Sequence, residues 1–196
     1  MPSIVIEVNG SPVSTIDLTA LQVFGVSVHG ALDRNPKAEL DASGGNYSDG
    51  GCGYLIWIAD QELLPTDIVC VRFEAASCRG DQGKTLAQLY PDLEPSTRTD
   101  FTISDEMAAE IRARPRLHEN FIVQASTSGG HLAKAASDDL NTDFNFSLLW
   151  DNSRPDQARV RLSTYCLDDV LARTGGNQQL QTTLSPGESV VFLLLQ

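Results

Sequence analysis

The chain is short of cations. Its 14 Lys and Arg stand against 26 Asp and Glu, a formal net charge of −12 over 196 residues. Such a surplus of acid repels phosphate backbones and anionic membranes, so nucleic acid and lipid headgroups are excluded as natural partners and a basic protein is favoured. Cysteine is scarce as well: Cys52, Cys70, Cys78 and Cys166 contain no C-x-x-C pair. That argues against a structural zinc site or a redox dithiol, and reduced structural thiols are expected. Apolar runs stop at six residues, as in Val190 to Leu195, far below the ~20 that a membrane-spanning helix needs. The opening residues carry neither the basic nor the long apolar stretch of a secretory signal. The expectation is a soluble, cytoplasmic protein.

Catalytic signatures are equally sparse. His29, His118 and His131 are scattered outside any H-E-x-x-H pattern, and no G-x-S-x-G elbow is present. Gly83-Lys84-Thr85 resembles the end of a phosphate-binding loop, but Cys78 stands where the first glycine belongs and Pro91 cuts the following helix short. Without that glycine the backbone N–H groups cannot wrap a phosphate, so a solvated loop is expected. The balance leans away from an enzyme.

What is present is a core. Hydrophobic residues make up 41% of the chain, and a domain of this size buries roughly 70% of its unfolded surface. Strand signals dominate. Ile4 to Val8 and Pro12 to Ile16 flank Asn9-Gly10, a pair suited to a type I′ hairpin turn. Val23 to Leu32, Ile68 to Phe73, Phe144 to Trp150, Ala158 to Ser163, Leu180 to Leu184 and Glu188 to Leu195 read as further strands. Phe121 to Ser126 and His131 to Ala136 flank a Thr-Ser-Gly-Gly turn. Tyr54 to Ile58 is apolar on both faces, which predicts a central core strand returning as a hairpin through Pro65 and Asp67. Trp57 and Trp150, near the ends of apolar runs, are expected to pack in the core rather than form a binding platform.

Two short helices are expected. One is Met107 to Arg114, capped by Ser104 and stopped by Pro115; the other is Thr164 to Arg173, with Leu167, Val170 and Leu171 on one face. One further turn is expected at Leu86 to Leu89. Short strands separated by turn clusters predict a mainly β fold, a β-sandwich or jelly-roll-like core, in a single domain over 1–196. An α+β arrangement is the alternative.

Three groups of residues carry possible function. Residues 60–110 hold 11 acids against 4 basic residues. Asp60, Glu62, Asp67, Asp81, Asp92 and Glu94 are therefore the expected contact residues for a basic protein partner, as in inhibitor, immunity-type or adaptor proteins. The glycine-rich stretch Asp41 to Gly51 offers Asp41, Asn46 and Asp49, and a second oxygen-rich stretch offers Asp139 and Asp143. If these two loops met in space they would form a calcium site, supporting instead a calcium-dependent ligand-binding module or an enzyme. The third group is Arg112, Arg114, Arg116 and His118, the one basic cluster, expected mainly to answer a helix dipole and neighbouring acids. A jelly-roll subunit of a larger assembly is a further expectation from architecture alone.

Overall fold

The computed structural model describes residues 2–76, 79–93 and 102–195. Twelve strands form two six-stranded antiparallel sheets packed face to face. One sheet, A, runs in the order β2 (Ser11–Asp17), β1 (Ser3–Val8), β6 (Ile68–Glu74), β12 (Glu188–Leu194), β7 (Ile122–Thr127), β8 (Leu132–Ala136). The other, B, runs β11 (Asn177–Leu184), β10 (Ala158–Tyr165), β9 (Asp143–Asp151), β3 (Val23–Ala31), β4 (Ala38–Asn46), β5 (Gly53–Leu63). The mainly β sandwich expected from the strand pattern is the fold.

Strand alternation explains how the core is built. In β3 every second side chain is buried, Phe24, Val26 and Val28, while Gly25, Ser27 and His29 lie on the other face. Phe144, Phe146, Leu148 and Trp150 of β9 do the same, and Val190, Phe192 and Leu194 answer them from sheet A. Aromatic contacts tie the layers together. Phe192 packs 5.2 Å from Phe146 and 5.9 Å from Phe144, and Phe144 meets Phe121 edge-on at 4.9 Å. Trp150 is fully buried and its indole N–H donates to the Pro155 carbonyl. Each such aromatic pair adds about 0.5–1.5 kcal/mol beyond its area burial.

Several local expectations change. Tyr54 to Ile58 lies in β5, the edge strand of sheet B, and not at its centre. The physical reason is its cover: Lys84 bridges Ile56 through paired backbone hydrogen bonds of 2.8 Å, and Trp57 donates to the Asp81 carbonyl. Trp57 is partly buried, edge-on to Phe24 at 5.4 Å. A one-turn helix α1 (Leu86–Leu89), capped by Thr85, lies against β5. The turn after β5 is no hairpin. Its strand partners differ, so the chain crosses from sheet B to sheet A, and β11 to β12 crosses in the same way. The glycine-rich stretch Asp41 to Asn46 is not a loop but most of β4.

The first of the two expected helices starts and ends two residues earlier than expected, the second is shorter, and both bury little. α2 (Asp105–Arg112) hides only Ala108, and α3 (Leu167–Ala172) hides nothing. Thr164 and Tyr165 belong to β10 instead. Among the described residues no helix is long and apolar enough to cross a membrane.

Two substitutions test this packing. Phe146→Ala is expected to cost about 3–5 kcal/mol, read as a lowered urea midpoint. Gly44→Ala is also expected to destabilise, because a Cβ there would collide with the Val23 carbonyl oxygen and approach Phe24 Cα to 2.9 Å.

Candidate functional site

Sheet B has one face in the core and one facing out, and the register decides what the outer face displays. His29 is paired with Glu39, Ser27 with Asp41, and Glu39 with Glu62. The His29 ring lies between two carboxylates, Nε2 3.3 Å from Glu39 and Nδ1 3.4 Å from Asp41. Asp60, in a left-handed conformation at a β-bulge, turns its backbone N–H to Asp41 at 2.9 Å. The Tyr90 hydroxyl donates to the Asp60 carboxylate at 3.0 Å, and that carboxylate, first by accepting this bond and then by its charge, raises the phenol's pKa. The β3–β5 side therefore carries Glu39, Asp41, Asp60 and Glu62, and no Lys or Arg among the described residues pairs with any of them. Exposed apolar groups border it: Tyr54 (47% exposed), Tyr90 (41%) and Leu93 (58%).

Across the same face the charge reverses. Arg159 and Arg161 of β10 lie outward, opposite Leu149 and Ser147 of β9. Ser147 and Ser27 are register partners, so small hydroxyl side chains separate the basic side from the acidic one.

Among the described residues the expected acidic contacts have different surroundings. Asp60 and Glu62 belong to the face just described. Asp67 locks the crossing between sheets, accepting from Asn9 Nδ2 and from the Leu64 N–H at 2.7 Å each. Asp81 holds β2, accepting from the Thr15 N–H at 2.7 Å and the Ser14 hydroxyl at 3.1 Å. Asp92 is an exposed turn residue, and Glu94, like Cys78, lies outside the described residues. Glu39, His29, Tyr54 and Tyr90 were not anticipated. The signal was the alternation of Ala38, Leu40, Ala42 and Gly44 with Glu39, Asp41 and Ser43, masked by how small the inward residues are.

The two oxygen-rich stretches stay apart. Asn46 and Asp49 are at the Val23 end of β3, whereas Asp143 is paired with Ala31 at the other. At ~3.3 Å per residue those ends are about 26 Å apart. Asn46 is also occupied, accepting from the Ser48 N–H and hydroxyl. Asp139 pairs with Arg116 at 3.4 Å and Asp41 with His29. Among the described residues no three His, Cys, Asp or Glu side chains are placed to hold a metal ion. The calcium arrangement requires a meeting of loops that the fold does not make.

A second feature lies at the Ala31 end of sheet B, where α2, α3 and the turn after β3 enclose a cavity of 570 Å³. Its size is within the roughly 300–1,000 Å³ of small-molecule sites. Leu32, Ile111, Leu140, Leu167 and Val170 give it apolar walls. The basic cluster forms its rim, and each arginine meets an acid from another segment: Arg112 with Asp168 at 2.7 Å, Arg114 with Asp33 at 3.8 Å, Arg116 with Asp139. His118 Nε2 lies 2.8 Å from the Arg34 carbonyl oxygen. These cations tie the helices and loops of the cap to one another. Inside, burial raises the Asp143 carboxyl above its ordinary range, against a hydrogen bond of 2.7 Å from the Thr142 hydroxyl. Burial, and then the Asp143 charge, also raises Tyr165.

No family model, curated protein or solved structure matches this chain.

The raised Asp143 has a defined effect on stability. The folded state holds this proton more tightly than the unfolded chain, so stability falls as pH rises through the carboxylate range toward the folded value. The cost persists at neutral pH. Asp143→Asn is therefore expected to raise the melting temperature at pH 7, with the gain vanishing below the ordinary carboxylate value of 3.8. Scanning calorimetry across that range checks it; an unchanged or lower neutral melting temperature would contradict a buried, costly carboxylate.

Proposed function

We propose that this chain is a non-catalytic binding module that engages a basic protein through the β3–β5 side of sheet B, as an inhibitor, immunity-type or adaptor protein does. One observation carries the reading: Glu39, Asp41, Asp60 and Glu62 share a surface with His29 as their only cationic neighbour in an ion pair among the described residues, although six arginine–carboxylate pairs are formed elsewhere among them. Four carboxylates at close quarters around a single imidazole repel one another and are relieved by a cationic partner. Tyr54, Tyr90 and Leu93 beside them supply the aromatic and apolar contact area that anchors interfaces, with the carboxylates steering the encounter. The fold contributes a rigid support, since the four carboxylates and Tyr54 project from the paired strands β4 and β5.

The test is capture from the native cell extract with the wild-type chain and with the Asp41→Asn, Asp60→Asn, Glu62→Gln triple variant. Asn and Gln retain the acceptor oxygens, so the hydrogen bonds from the Asp60 N–H and the Tyr90 hydroxyl survive while the charge is removed. A basic protein is expected on the wild-type chain, released as salt rises, and bound about 10–100-fold more weakly by the triple variant. Recovery of no basic protein, equal retention by the variant, or affinity indifferent to salt would each overturn the reading.

A further inference from the structure

The cavity at the end of sheet B holds polar groups that the protein itself leaves unspent. Arg112, Arg114 and Arg116 are each matched by an acid, but Arg34 forms no ion pair among the described residues. It is exposed at the mouth, close enough for its charge to act on both Asp143 and Tyr165. Among the described residues Asp143 accepts a side-chain hydrogen bond from Thr142 alone, its neighbour in the chain. The Tyr165 hydroxyl has no hydrogen-bond partner among the described residues, and its ring lines the cavity. A guanidinium, a carboxylate and a phenol thus converge on an apolar-walled space with their capacity unused. Sites built for small molecules have this composition: apolar walls and a few convergent polar groups. Retaining a half-buried carboxylate with no ion pair at contact distance among the described residues costs stability, and such costs cluster at functional positions.

We propose that this cavity binds a small zwitterion of the amino-acid class with an apolar side chain. Its ammonium group sits on Asp143, with Tyr165 alongside. Its carboxylate reaches Arg34 at the mouth, and its side chain lies against Leu32, Ile111 and Val170. The pairing of opposite charges is the argument for this class. A simple anion would leave Asp143 unpaired and repelled, and a simple cation would face Arg34. Only a ligand bearing both charges satisfies the two groups without the protein closing them on each other. The site is separate from the acidic face through which a basic partner is proposed to bind, and neither reading rests on the other.

L-leucine, N-acetyl-L-leucine and L-leucinamide distinguish the possibilities, because the second lacks the ammonium and the third the carboxylate. Titrations followed by amide NMR shifts are expected to show saturable leucine binding at residues around Asp143 and Tyr165. Both single-charge analogues are expected to bind at least about tenfold more weakly, a loss of roughly 1.4 kcal/mol. Asp143→Asn and, separately, Arg34→Gln should each weaken leucine by a similar factor; calorimetric melting of each variant verifies that it is folded. No saturable leucine binding, equal binding of all three compounds, or leucine binding unaffected by both substitutions would overturn the proposal.

Discussion

Everything else in this molecule depends on the dry seam between the two sheets. The chain of rings from Phe121 through Phe144 and Phe192 to Phe146 crosses that seam, and strand geometry commits every second residue of β3, β4 and β9 to it. Because the side-chain period is two, a slip of one residue would turn the whole apolar set outward, so burial fixes the register. Once the register is fixed, the opposite face has no freedom. His29, Glu39, Asp41 and Glu62 are neighbours because Val28, Leu40 and Leu63 must be inside. The composition of the outer face follows from the demands of the inner one.

On that outer face the charges are sorted rather than mixed. Acids gather on β4 and β5, arginines on β10, with serines between them. The cap at the Ala31 end follows a different rule. There α2 and α3 contribute almost nothing to the core, and arginine–carboxylate pairs hold the pieces to one another. Exposed pairs of that kind contribute little each, with a median near 0–1 kcal/mol. The sheets and the cap therefore differ in what holds them: buried apolar area for one, screened electrostatics and modest contact for the other. The outer face of sheet B rests on a rigid support, whereas the cavity under the cap sits among the less strongly held elements of the structure.

The sandwich was legible because strongly apolar, alternating segments such as Phe144 to Trp150 and Ile68 to Phe73 admit few other readings. The Asn9-Gly10 hairpin was legible for the same local reason, and both of its turn residues have positive φ. β4 was hidden. Its inward positions are Ala38, Leu40, Ala42 and Gly44, the last held to glycine by Val23 and Phe24 pressing against it, so the strand carries little hydrophobic signal and much turn-like composition. β5 was misplaced for the converse reason. Its apolar character suits a central strand, but its cover comes from the segment around Gly83 and Lys84 rather than from a sheet neighbour. The acidic face was half legible: net charge located the excess near Asp60 and Glu62, but pairing across strands far apart in sequence supplied Glu39 and His29. The spent roles of Asp67 and Asp81 depended on partners 58 to 67 residues away, beyond the reach of any local pattern. The cavity combined Arg34, Asp143 and Tyr165 through the same kind of long-range register.

The cover on β5 has a consequence for the life of the protein in a crowded solution. An edge strand with free N–H and C=O groups is a template on which another chain can grow a sheet. Here the Lys84 bridge occupies both backbone groups of Ile56, a bulge kinks the strand at Asp60, and like charges at Asp60 and Glu62 discourage an incoming strand. The segment that follows β6 thus acts as a seal as much as a connection. A cleavage that released it would free the Ile56 N–H and C=O groups to pair with another strand.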